Sequence, residues 1–470
     1  MRLQLPIHSY DHRSTPASSS RLVNCRPEAL PQDAKTLVLL SRSEGVASWT
    51  TVGTGPIYGM YAAHIELTTG QDELLYVVSG SKLYSVDASK NVTELGDVGT
   101  ANRIDMDSNT SALVVVNEPN GYYWDGTTFG QITDDDFVSR GAGDVEFLNN
   151  YMLFREPDSG RFFGADLGSV TDFDALQFAI SDSNPDNMVG MKALQQQLVN
   201  LGSKSGEIFS NTGAAGFPFE RNVNGTFEKG CLNAKTAAVQ DNSLYWVADD
   251  FTVRRLDGNV PMRVSTHAIE QALSSATASS LEAFTFDQDG HFYYVLSATE
   301  GTWCLDITTG EWSERKSYGK SNWTIRHHAR YAGLELVGDS ESNKIGYIDR
   351  DTYSDFGGVQ RMEWTYQPVY AEGQRAFHDR LEIVMETGVG LTTGQGSDPK
   401  IMLEKSDDGG KTWKSLPDRS LGPLGERLTR AVWHNLGSSR QRVYRAAVSD
   451  PISIVVTDTL LEVKGGRIGP

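Results

Sequence analysis

The chain alternates apolar and polar residues in short runs broken by Gly, Asn or Asp turns, a period of two that predicts β-strands joined as hairpins. The clearest runs are residues 74–87 (LLYVVSGSKLYSVD) and 112–125 (ALVVVNEPNGYYWD). Further copies occupy 145–166, 198–211, 244–257, 284–306 and 334–349. Their starts fall about 35 to 50 residues apart, near the spacing of four-stranded propeller blades. Seven hairpin centres thus predict an all-β fold, a β-propeller of six or seven blades. One such hairpin cannot bury its apolar face alone, whereas blades set around an axis cover one another and leave few exposed edges. Turn residues agree, with Gly80, Asn120-Gly121, Asp289-Gly290 and Gly310 between strand-like runs. The competing architecture for the same runs is a sandwich of unrelated hairpins.

Two segments depart from the pattern. Thr266 and the apolar spacing after it, running into an Ala/Ser-rich stretch up to Leu281, predict a short helix with Thr266 as N-cap. Residues 24–31, with Pro27 and Pro31, predict an extended segment that docks on a neighbour. Beyond Tyr353 longer alternating runs appear, at 361–370, 380–386, 400–405, 427–434, 441–447 and 452–456, with a polar loop at 388–398. They predict a C-terminal antiparallel β-sandwich-like domain. The chain divides into an extended N-terminal segment and first strand (1–50), a propeller (51–355) and the sandwich-like domain (356–470).

Composition narrows the function. With 46 Gly, 16 Pro and 39% hydrophobic residues, the 470-residue chain is turn-rich yet can build a core. Residues 1–20 lack the apolar stretch of a secretory signal or membrane anchor, which predicts a soluble protein made in the cytoplasm, with no stable membrane insertion. Cys25, Cys231 and Cys304 are odd in number and far apart, and read as buried, inert thiols. The net charge of −19 argues against a basic nucleic-acid-binding surface. It suits a wide pore along which a polyanion slides without sticking.

Few motifs carry chemistry. The most specific is residues 406–413 (SDDGGKTW), an Asp-box-like turn: Ser406, Asp408, Gly410, Thr412 and Trp413. Its expected role is architectural, with Asp408 accepting backbone N–H bonds, Gly410 taking a positive φ and Trp413 packing beneath the loop. Sialidases carry several such boxes together with an arginine triad and a Tyr/Glu pair. This chain has one full box, outside the propeller repeats, so a carbohydrate-active propeller enzyme of sialidase or depolymerase type is the alternative and not the leading reading. Asp134-Asp135-Asp136 and Asp249-Asp250 read as solvated loops rather than acid/base pairs. Asp182, Asn184 and Asp186 alternate as calcium ligands do, but Asn187 stands where the loop needs Gly, so an Asn-Pro-Asp turn is the reading. His8 and His12 have ligand spacing only in a helix, and His327-His328 read as strand or turn residues. No P-loop, Rossmann fingerprint, nucleophile elbow or H-E-x-x-H is present. No catalytic residue, cofactor or metal is therefore assigned.

Residues 178–191 (FAISDSNPDNMVGM) resemble a segment of the packaged-DNA stabilisation proteins, the tail hub or nozzle proteins of short-tailed bacteriophages. So do 201–209 (LGSKSGEIF), Gly230-Cys231, 241–246 (DNSLYW) and 263–270 (RVSTHAIE). Residues 24–49 look like that family's opening segment and 440–456 loosely match its close. The family's Pro-Gly turn near the first strand stands here as Glu44-Gly45. The resemblance implies a structural virion protein, not an enzyme, assembled in the host cytoplasm as a ring of several copies, six in expectation. Its implied partners are a head-to-tail adaptor ring, a tailspike or tail fibre, a tail needle or plug, and genomic DNA that passes the lumen without sequence-specific binding. A soluble propeller interaction module unrelated to phage is the third reading.

Overall fold

A computed structural model describes residues 1–11, 18–31, 33–34, 36–65, 73–100, 104–370 and 374–465. Seven antiparallel blades surround one axis. Blades 1 to 7 open on innermost strands Ile57–Ala63, Ile104–Ser108, Val145–Leu148, Met188–Leu194, Ala238–Gln240, Glu282–Gln288 and Ile325–Tyr331. The chain then steps outward through each blade. All seven hairpins expected from sequence fall inside blades, one to each. Blade 7 takes its fourth strand, Gly45–Thr51, from the N-terminal part of the chain, antiparallel to Lys344–Asp349. That strand ties the two ends of the propeller together, and its partner lies about 300 residues away in sequence, which is why periodicity alone left the blade number at six or seven.

Burial explains the pattern. In blade 1 the second strand, Leu74–Ser79, sends Leu75 and Val77 toward blade 7 and Tyr76 and Val78 toward blade 2. A strand covered on both faces reads as a near-continuous apolar run, as LVVV, YMLF and LYWV do in blades 2, 3 and 5. Each gap between blades is a separate apolar layer, and the sandwich holds one more. A fully buried Val or Leu contributes about 1.5–3 kcal/mol, so a charge at Val77 would open the joint that closes the ring.

The sandwich stacks two sheets around Trp364, Tyr366, Trp433 and Tyr444. One sheet runs Cys25–Ala29, Val38–Arg42, Val455–Gly465, Ala376–Met385, Ala431–Ser439. The other joins Ser19–Val23, Met362–Thr365, Gln441–Val448 and Lys400–Ser406, and continues into blade 6 through a parallel bridge between Val23 and Glu314. The first fifty residues thus supply strands to both sandwich sheets and to blade 7. The segment expected to be extended is so, as the strand Cys25–Ala29, but it docks within the chain's own sandwich and not on a neighbour.

Thr266 does cap a helix, His267–Ser275, followed by one 3₁₀ turn at Ala278–Ser280. A second helix, Asp135–Arg140, was not expected. Asp134 accepts the N–H groups of Asp136 and Phe137 as its N-cap, and Asp135 and Asp136 sit in the first turn where the helix dipole favours carboxylates. The reading of 134–136 as a solvated loop is corrected: six residues are too few for helical periodicity to show. The three cysteines are buried and none forms a disulfide. No helix among the described residues is long and apolar enough to cross a membrane.

Candidate functional site

The innermost strands touch in turn around the axis, and the last returns to the first. They do not form a common ladder, so side chains bridge them. Asp105 Oδ2 accepts the N–H of Val145 (3.2 Å), Asp107 Oδ2 that of Phe147 (2.6 Å) and Glu146 Oε2 that of Ala193 (2.9 Å). Cations sit among these acids. Lys192 bonds Glu146 and lies 3.6 Å from Asp105, Lys235 pairs with Glu282 at 2.9 Å, and Arg155 with Asp144 at 2.6 Å. Burial opposes the charge on Lys192, but Asp105 and Glu146 more than offset it and hold the ammonium above its ordinary range. Burial pushes His327 down to about 4, so this imidazole is neutral. The cavity among these axial side chains is about 200 Å³. At roughly 30 Å³ per water it holds several waters and no nucleic-acid strand. The propeller's own axis is therefore a charge-paired plug rather than a channel.

Where propeller meets sandwich, Asn24 acts as a rivet. Its Nδ2 donates to the carbonyls of Lys316 (2.9 Å) and Arg361 (2.8 Å), its Oδ1 accepts the Lys316 N–H (3.0 Å), and its backbone sits at φ 51°. Asn tolerates that left-handed conformation better than most residues. Nearby, buried Arg315 donates to the Glu44 carbonyl (2.7 Å) and lies over the Trp323 ring. Arg42, also buried, is satisfied by carbonyls and Gln360, including Ile452 O at 3.2 Å. Asp355 is the unbalanced member: neither carboxylate oxygen makes a hydrogen bond of full geometry, although the Trp323 side chain and the Val46 N–H act on it. Burial pushes it up to about 6, although Arg315 opposes the shift.

Beside the rivet opens a cleft of about 360 Å³ lined by Arg21, Lys316, Tyr318, Lys320 and Arg361. Three of its cations have acidic partners: Arg21 with Glu314 (2.6 Å), Arg361 with Glu363 (3.2 Å) and Lys320 with Glu341 (2.8 Å). Lys316 has no ion-pair partner among the described residues, and Tyr318 is 63% exposed. The propeller as a whole carries the opposite sign. Residues 51–355 hold 21 Lys and Arg against 43 Asp and Glu, a net of −22, while the remainder of the chain is slightly positive.

Two family models cover nearly the whole chain. Residues 4–353 match the β-propeller of bacteriophage P22 Gp10, a packaged-DNA stabilisation model, and residues 362–464 match its β-sandwich. The chain belongs to the bacteriophage P22 Gp10 family. This makes it a phage structural protein and a virion component. No curated protein sequence matches it. Among solved structures, virginiamycin B lyase from Staphylococcus aureus is similar at 8% identity and TM-score 0.45, over 64% of this chain and 98% of that one. The β-propeller domain of Myceliophteria thermophila Cps50 (Swd1) is similar at 11% identity and TM-score 0.43, over 64% and 98%.

In this member of the Gp10 family the residues singled out from sequence have structural partners. Asp408 Oδ1 accepts the N–H groups of Lys411 (3.0 Å) and Thr412 (2.9 Å) and the Ser406 hydroxyl (2.7 Å), while Oδ2 accepts the Thr412 hydroxyl (2.6 Å). These bonds hold its pKa below the ordinary carboxylate range. Gly410 sits at φ 96°. Trp413 carries the Arg445 guanidinium on its face, 4.1 Å from the ring centre. Its neighbour Asp407 pairs with Arg442, which is 1% exposed. The turn thus pins a corner of the sandwich. Asp186 accepts the N–H groups of Lys204 and Ser205, and Asp182 pairs with Arg221, so the two carboxylates face different partners. Asp249 pairs with Lys204 and Asp250 with Lys229. His8 lies 3.3 Å from Glu311, and His12 is outside the described residues. His328 bonds Glu335 at 2.6 Å within a strand of blade 7. Sequence reasoning missed the axial plug and the seam, whose signal is confined to single polar residues such as Asn24 within apolar surroundings.

Proposed function

We propose that the chain is the tail hub, or nozzle, subunit of a short-tailed phage, and that it works without catalysis. Several copies, six on the family resemblance, form a ring below the head-to-tail adaptor and extend the DNA exit channel. The ring retains the packaged genome, receives a needle or plug at its outlet, and offers docking surfaces to tailspikes or fibres. Assembly takes place in the host cytoplasm. The observation that carries this reading is the closed axis: one copy has no room for a duplex, so a channel for DNA requires a space enclosed between copies. The charge supports it further. A lumen faced by propellers of net −22 multiplies a field that repels phosphates and keeps DNA sliding. Native mass measurement of the purified chain, with protein analysis of purified virions, tests the reading. It expects a discrete ring and a tail component, and a chain that stays monomeric and is missing from virions would overturn it.

A further inference from the structure

The cationic cleft at the seam and the outer edge of blade 3 are opposites in chemistry. In blade 3 the outermost strand is Phe173–Ile180, and the helix Asp135–Arg140 lies beside it, tied by a bond from Arg140 Nη2 to Ala175 O (2.6 Å). Together they present Leu176, 78% exposed, and Val138, 61% exposed, among Asp135, Asp172 and Asp174. Large exposed apolar residues on an edge strand are a liability unless covered. Residues 104–190 around them carry 16 Asp and Glu against 3 Lys and Arg. The cleft differs: Arg21, Lys320 and Arg361 are each balanced by an acid, and Lys316 stands without an ion-pair partner among the described residues beside an exposed Tyr318. Tyr and Arg, with Trp, are enriched among the residues that anchor the centres of protein interfaces.

Position makes the pairing intermolecular. The cleft lies where blade 6 joins the sandwich, and blade 3 is three blades further round a ring of seven. The two surfaces lie on opposite sides of the axis and cannot meet within one chain. We propose that the seam cleft receives the acidic, apolar blade 3 edge of a second copy of this chain. This inference rests on the ring reading and names the contact that would build it. A contact between two different surfaces of the same chain is heterologous and closes into a ring when the rotation allows. It also sets Lys316 of one copy against the acidic blade 3 of the next. Propeller against propeller would bring like charges together.

The test reverses charge on each surface separately. One variant carries Lys316→Glu and Lys320→Glu, the other Asp135→Lys and Asp174→Lys, all at positions outside the apolar cores. Mass photometry follows assembly at 0.1 M salt. Each variant alone is expected to assemble at least tenfold more weakly than the wild-type chain, because every contact in its ring sets like charges together. An equal mixture of the two is expected to recover assembly, with alternating copies and an even copy number, since both kinds of contact then pair opposite charges. Recovery also shows that both variants are folded. Variants that each assemble like the wild type would overturn this contact and leave the ring reading standing. Loss of assembly that mixing does not restore would likewise overturn it. A wild-type chain that never assembles would overturn the ring reading and this contact with it.

Discussion

Removing the Asn24 side chain tests the seam between propeller and sandwich. The carboxamide makes three hydrogen bonds there, and the residue is 2% exposed. A typical bond contributes about 1 kcal/mol net, and a buried group left unpaired costs about 1–3 kcal/mol. The adjoining cleft admits water to some of the orphaned groups, so the lower figures apply and Asn24→Gly is expected to cost about 3 kcal/mol. Asn24→Ala should cost about 1 kcal/mol more, because φ of 51° crowds a Cβ that lacks the local polar contacts of Asn. Urea unfolding followed by tryptophan fluorescence reads both effects, since Trp312, Trp323 and Trp364 are buried. Midpoint shifts at constant slope give the energies. A glycine variant within about 0.5 kcal/mol of the wild type would refute the rivet, and an alanine variant no worse than glycine would refute the backbone argument.

Three further outcomes follow from buried or turn-bound titratable groups. His378 is enclosed by Ser439 and Tyr444 and held down to about 4 by burial and the Arg442 charge. A histidine depressed from 6.5 in the fold loses stability as pH falls below 6.5, about 2 kcal/mol by pH 5. Thermal melts between pH 5 and 7.5 should show that slope diminished in His378→Asn, and an unchanged slope would contradict it. Asp355, raised to about 6 by burial, costs the fold most when ionised, above pH 6. Asp355→Asn should therefore stabilise at pH 7.5 by up to about 3 kcal/mol and lose that advantage near pH 4, whereas a destabilised variant at pH 7.5 would show that the contacts with Trp323 and Val46 outweigh the cost of burial. Asp408→Ala should speed amide exchange at Lys411 and Thr412, whose N–H groups it accepts, with little change in the propeller. Unchanged exchange there would remove the turn's assigned role.

The propeller was legible because the second strand of each blade is buried on both faces and prints a dense apolar run into the sequence, as in residues 74–79. The sandwich beyond residue 353 was legible from its longer alternation, and the Asp408 turn from its fixed spacing. What stayed hidden depends on contacts between distant parts of the chain. Gly45–Thr51 finds its strand partner about 300 residues later, and Ser19–Val23 pairs with Met362–Thr365. No local period encodes either pairing. The axial plug was hidden for another reason. Asp105, Glu146, Lys192 and Lys235 look like ordinary surface charges in a chain of net −19, and only blade packing shows that they face one another. That finding agrees with the ring reading, in which DNA passes through a space between copies and not along a propeller axis.

The most direct test of that path is a cryo-electron map of virion tails with the genome still inside. The account predicts several copies around one column of DNA density, with each propeller axis displaced from the column and filled by its own side chains. DNA density running through the centre of a propeller, or a single copy of the chain on the tail axis, would contradict it.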